Sequence, residues 1–205
     1  MRIKKSRAFT LVELMIVVAI IGVLAALAIY GVRKYLLSAK TSEAKNTIGA
    51  ITRAAVAAYE REKYDAQLMT AGGTSSTASH SLCDGTDPVP DTIPKGTKYT
   101  PSPLLTNDYN KGNTISSWKC LKFGLNEPHY YQYNYFGGVN SGKGTINTTG
   151  LAVTNAPAAG AAGWYSEAAG DLSGDGVNSY FTSYGAIVNG QPVTSTTIFE
   201  ANPEE

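Results

Sequence analysis

The sequence predicts an α+β fold: a long N-terminal α-helix packed against a C-terminal antiparallel β-sheet head, with a long αβ-loop between them. Three observations predict it. Residues 9–32 form an apolar run broken by one charge, Glu13. Residues 33–64 contain no proline, are rich in Ala, Lys and Glu, and repeat apolar positions at helical spacing. Beyond residue 117 the chain alternates aromatic, β-prone stretches with glycine turns.

The apolar run is about 24 residues, enough to cross about 30 Å of hydrocarbon at about 1.5 Å per residue. An ordinary secretory signal has a shorter core, of about 7–15 residues, ahead of a small-x-small cleavage site. Ala25-Ala26-Leu27-Ala28 imitates such a site but lies inside the long run. Neither a simple signal nor a simple anchor explains a carboxylate at Glu13, because ionisable groups at membrane depth are costly and therefore functional by default. Ahead of the run, Met1-Arg2-Ile3-Lys4-Lys5-Ser6-Arg7 carries four cations and no acid.

The order of basic leader, Ala8, then Phe9-Thr10-Leu11-Val12-Glu13 and a long apolar helix closely resembles the class III signal of type IV pilins and pseudopilins. The resemblance covers about 30 residues. It implies cleavage between Ala8 and Phe9 by a prepilin peptidase and N-methylation of the new Phe9 terminus. It also implies that Glu13 neutralises the Phe9 amine of a neighbouring subunit during assembly. The implied life history is a single-pass protein of the bacterial inner membrane that moves to a cell-surface pulus of identical subunits. Its implied partners are its own copies, the peptidase and the pilus assembly machinery, and its implied roles are structural: attachment and motility, as a major pilin. The same motif admits a major pseudopilin of a type II secretion system, with a long head and a cysteine pair favouring the pilin. A membrane-anchored extracytoplasmic binding module is the alternative from another class, and cleavage at Phe9 separates it from both. Two departures from the family stand out. Ala8 occupies the position usually held by Gly, and Tyr30-Gly31 stands where a proline is usual. With that proline missing, any melted segment is expected at residues 22–31, between the two glycines, since Gly costs about 1 kcal/mol relative to Ala in a helix.

On this reading residues 1–8 are the leader, 9–32 the membrane or filament-core half of the helix, and 33–205 the head. The head comprises the amphipathic helix half 33–64, the αβ-loop 65–116 and the β-sheet region 117–205. Ala44, Ile48, Ile51, Ala55 and Ala58 trace the stripe that faces the sheet, continuing to Glu62, while Lys40, Glu43 and Lys45 read as a solvated or subunit-facing side. A helix over residues 9–64 would be about 84 Å long. Small residues from Ala71 to Ser79 and prolines at 88, 90, 94, 101 and 103 mark the loop. Strands are expected at residues 117–123, 129–136, 163–169, 178–184 and 196–200. Tyr131, Tyr133 and Tyr135 alternate onto one face of the second.

The remaining composition excludes more than it proposes. Without the four leader cations, 13 basic side chains face 16 acidic ones, a net charge of about −3 that gives no footprint for nucleic acid. Cys83 and Cys120, in the exported part, are expected to pair, closing a loop of about 36 residues worth ~3–4 kcal/mol. Asp171, Ser173, Asp175 and Ser179 stand at positions 1, 3, 5 and 9 of a calcium-type loop, with Gly176 at position 6. Thr182 replaces the bidentate Glu, so a Gly/Asp turn between strands competes with calcium, and no other cofactor is expected. No catalytic constellation is present: His80 and His129 are the only histidines, both read as surface residues, and the 13 tyrosines read as strand packing.

Overall fold

Helix α1 runs from Leu11 to Glu60 without interruption in the computed structural model, which describes residues 9–61, 63–64, 78–137 and 162–204. Its sequence contains no proline and is dominated by Ala, Leu, Ile and Val, so propensity and the i→i−4 ladder agree along its length. Gly22 and Gly31 both lie inside it, so the segment expected to melt is helical in the isolated chain, and a Cβ at either glycine would point into open space. The helix stops four residues short of the expected Tyr64. Lys63–Tyr64 instead forms strand β1, paired antiparallel with β2, Ala78–Ser79.

The chain divides into two compact units, one ending at Ala39 and the other spanning Lys40–Glu205. In the first, Leu11 is 73% exposed, and Leu14, Val18, Ile21 and Leu24 are each about 60% exposed. A helix apolar on every side needs lipid or other helices around it. It is long and apolar enough to cross a membrane.

In the second unit the α1 residues Thr41, Ala44, Thr47, Ile48, Ile51, Thr52, Ala55 and Ala58 are buried, matching the predicted stripe at spacings of three and four. They cover an antiparallel sheet of β3 (Gln132–Gly137), β4 (Gly163–Gly170), β5 (Ser179–Val188), β6 (Gln191–Thr194) and β7 (Phe199–Ala201). The strand order is β3-β4-β5-β6, with β7 also pairing β5. Thr52 Oγ1 donates to Ser166 Oγ on β4 at 3.1 Å, and Lys45 Nζ sits over the Phe181 ring of β5 at 5.9 Å. Tyr131, Tyr133, Tyr135, Trp164 and Phe181 are all fully buried, so the predicted tyrosine alternation supplies much of the core.

These rings fit because glycines stand where they lean. A Cβ on Gly185 would overlap the Trp164 indole directly opposite it, and one on Gly137 would overlap the Tyr135 ring. Gly185→Ala is therefore expected to cost about 3 kcal/mol through overpacking, lowering Tm by roughly 6–12 °C. Near-UV circular dichroism during melting of the full chain in detergent checks this; an unchanged Tm would show that the indole has room to move.

Two stretches depart from expectation. Residues 117–123 form no strand: Ser117–Leu121 is a short helix, α2. Its buried positions are Ser117, Trp118, Cys120 and Leu121, with Lys119 exposed. One helical turn places 117, 118, 120 and 121 against the head and leaves Lys119 outward. The sheet thus begins at Gln132 rather than at 117. Strand β6 was not expected; Asn189-Gly190, with φ of 52° and 76°, turns β5 back on it as a two-residue hairpin. Most of the predicted αβ-loop that is described, from residue 80 to 116, lacks regular elements beyond a 3-10 turn at Asp108–Asn110. Val89 bridges to Tyr133, tying the loop to the edge of β3.

Candidate functional site

The start of α1 holds the strongest candidate. Thr10 lies just before Leu11, and Glu13 is the third helical residue. The Glu13 carboxylate Oε2 accepts the Thr10 backbone N–H at 2.8 Å and the Thr10 hydroxyl at 2.8 Å. The Glu13 N–H donates to Thr10 Oγ1 at 3.2 Å. This reciprocal arrangement is a capping box, which satisfies backbone donors that an apolar medium would leave bare. The sequence reading missed it, although Thr10-Leu11-Val12-Glu13 has the required Thr-x-x-Glu spacing. The carboxylate thus sits at the positive end of the helix dipole, bonded to Thr10. Ala8, the other half of the expected cleavage site, lies outside the described residues.

Cys83 and Cys120 form the expected disulfide, with Cα atoms 5.8 Å apart. It fastens α2 to the loop, and Arg61 Nη2 donates to the Cys120 carbonyl at 2.6 Å from the end of α1.

The Asp171 loop is a turn whose oxygens are occupied by backbone. Asp171 is buried, its Oδ1 accepting Gly174 N–H at 2.6 Å and its Oδ2 accepting Gly176 N–H at 3.0 Å. Asp175 Oδ1 accepts Val177 N–H at 2.8 Å, and Ser173 Oγ accepts Asp175 N–H at 3.3 Å. Ser179 Oγ donates to the Gly170 carbonyl at 3.0 Å. The Asp171 and Asp175 carboxylates thus cap backbone donors of the turn, as Asx turns do. Among the described residues no cluster of three or more His, Cys, Asp or Glu is placed to hold a metal.

Two further polar groups sit differently from their sequence reading. His129 is buried rather than on the surface. Its Nδ1 lies 2.7 Å from the Tyr131 carbonyl and its Nε2 3.1 Å from the Tyr109 hydroxyl. These partners suit a neutral ring donating from Nδ1, and burial pushes its pKa down. His80, by contrast, is exposed, as expected. Glu43 is half-buried and accepts the Tyr130 N–H at 2.9 Å, because Tyr130 approaches that side of α1. Burial raises its pKa, against the opposing pull of the Tyr130 N–H, Lys98 and Lys40.

Glu167, on β4 between Asn134 and Thr182 of the flanking strands, is pushed up to about 7 by burial. In the unfolded chain it titrates near 4.5. Between those values the folded state binds more protons, so this group's contribution is intact at low pH and is lost as pH rises through about 7. Glu167→Gln should match the parent at pH near 4.5 and exceed it by on the order of 2 kcal/mol at pH near 8. Denaturant titrations at the two pH values check this, and equal pH slopes would contradict it.

Comparison with known proteins bears on the first of these features. Residues 3–29 match the family described as the prokaryotic N-terminal methylation motif. Over 61 residues the chain is 48% identical to the type IV major pilin protein PilA of Myxococcus xanthus strain DK1622. That alignment covers 29% of this chain and spans 28% of the relative's length. No solved structure matches the chain.

Proposed function

We propose that this type IV pilin-like chain is a major structural subunit of a bacterial type IV pilus, with no catalytic role. The observation that carries the reading is the methylation motif entering an all-round apolar helix through Phe9-Thr10-Leu11-Val12-Glu13. The prepilin peptidase cleaves between Ala8 and Phe9 and methylates the Phe9 amine. The processed subunit waits in the inner membrane, its helix over residues 9–32 in lipid, until the assembly machinery extracts it. In the filament the same surface packs against helices of identical subunits, and the pilus carries the heads to the cell surface.

A helix clothed in Leu, Ile and Val gains little hydrophobic energy on moving from lipid to a helix bundle, since both media are apolar. Packing and polar contacts then decide the register. Glu13 is the one carboxylate in that stretch and the natural partner for a neighbour's amine.

Mass spectrometry of the mature chain tests the processing step. The expected N-terminal peptide begins at methylated Phe9 and lacks residues 1–8. An intact leader, or cleavage near Ala28, would contradict the reading. Electron microscopy of sheared surface filaments, with peptide identification, tests the assembled state.

A further inference from the structure

Beside α2 the head has an open cavity of about 300 Å³, at the small end of the range for ligand sites. Tyr109, Trp118 and Phe123 line it and pack on one another, with ring centroids 5.0, 5.8 and 5.6 Å apart. The polar ends of two of these rings are engaged away from ligand. Trp118 Nε1 donates to the Asp87 carbonyl at 3.1 Å, and the Tyr109 hydroxyl lies 3.1 Å from His129 Nε2. Tyr109 and Trp118 are buried, so the half-exposed Phe123 is the ring that a ligand meets.

Each ring follows a residue held in the left-handed region: Asp108 at φ 47°, Ser117 at 64° and Lys122 at 55°. Such backbone costs about 1–2 kcal/mol for an ordinary side chain and concentrates where a site is being shaped. Lys122 occupies the position after α2 where glycine is usual. Three of the five non-glycine residues with positive φ among those described therefore serve this one cluster.

The rim is cationic. Lys119 and Lys122, three residues apart, both line the cavity and are exposed, with no ion-pair partner among the described residues. Asp108, beside Tyr109 in the chain, is already occupied: its Oδ2 accepts the Tyr99 hydroxyl at 2.7 Å and the Ser102 N–H at 2.6 Å. Asn110 and Asn126 add amides to the same lining.

We propose that this cavity binds an acidic sugar, a pyranose ring bearing a carboxylate within an anionic polysaccharide. The apolar face of the ring packs on Phe123, the half-exposed member of the aromatic cluster. Its hydroxyls bond the Asn110 and Asn126 amides, and its carboxylate lies between the Lys119 and Lys122 ammonium groups. A nucleic acid fits less well: two lysines on a head of net negative charge do not make the extended basic track that a phosphate backbone requires. The inference does not depend on filament assembly.

Calorimetric titration of the full chain in detergent with trigalacturonate tests it, with maltotriose as the neutral sugar of equal length. Saturable binding of trigalacturonate is expected, at least about tenfold tighter than maltotriose. The double variant Lys119→Gln, Lys122→Gln should remove that preference, while Lys95→Gln, an exposed lysine outside the cavity, leaves it intact. Phe123→Ala should weaken both sugars. Near-UV circular dichroism confirms that each variant is folded, and the lysine variant decides the matter alone if Phe123→Ala does not fold. No saturation, a preference unchanged in the lysine variant, or equally tight binding of a single-stranded oligonucleotide of the same charge would overturn the proposal.

Discussion

Replacing Cys83 and Cys120 together by Ala should lower the head's stability by about 4 kcal/mol, the value expected for releasing a loop of 37 residues. Alanine is the better replacement, because both sulfurs are buried and serine would add two buried hydroxyls to the cost. The damage should centre on α2. Cys120 lies in that one-turn helix, which is too short to persist alone and is otherwise held by Arg61 and by three carbonyls: Asp84 accepts the Ser117 N–H at 3.2 Å, Lys111 the Lys119 N–H at 3.2 Å and Asp87 the Trp118 indole N–H at 3.1 Å. Trp118 should therefore report the change before Trp164, which is locked in the sheet. Guanidinium titrations of parent and variant, followed by tryptophan fluorescence, check both statements. Reducing the parent with dithiothreitol should reproduce the loss. A difference below about 1 kcal/mol would mean that the unfolded chain is already compact around residues 83–120.

The fold was legible where local pattern and tertiary demand agree. The spacing of Ala44, Ile48, Ile51, Ala55 and Ala58 announced the buried side of α1 because nothing nearby competes with helix there. The alternation of Tyr131, Tyr133 and Tyr135 announced a strand face for the same reason. Two other signals were present and went unread: Asn189-Gly190 for the β5–β6 hairpin, and Thr10 with Glu13 for the capping box. The α2 turn was a different matter. Ser117-Trp118-Lys119-Cys120-Leu121 suits a strand by propensity, and only packing that buries 118, 120 and 121 together selects the helix. The burial of His129 and Glu43 likewise depends on contacts from distant chain, Tyr109 in one case and Tyr130 in the other. The aromatic cavity was least legible, since the left-handed residues that shape it are imposed by those same long-range ties.

Glu13→Val and Glu13→Gln should separate the two jobs that one carboxylate can do. The capping box needs an acceptor at this position, and Gln supplies one as well as Glu; its loss costs about 1 kcal/mol. Neutralising a neighbour's Phe9 amine needs the charge, and only Glu supplies that. Both variants should insert into the membrane at least as readily as the parent, because a carboxylate at membrane depth costs about 2.5–3.5 kcal/mol on insertion scales. If charge pairing drives assembly, Val and Gln should fail together. A coupling of about 3 kcal/mol corresponds to roughly a hundredfold fewer subunits incorporated. If capping is what matters, Gln should assemble like the parent and Val alone should fail. Filament yield after shearing, set against membrane-fraction abundance of the same variant, reads the difference directly. We expect the joint failure. The cap needs only one carboxylate oxygen, Oε2, for both of its Thr10 contacts, which leaves Oε1 and the full negative charge to meet a second subunit. Normal filaments from Glu13→Gln would reduce Glu13 to a helix cap and leave the Phe9 amine to find another partner.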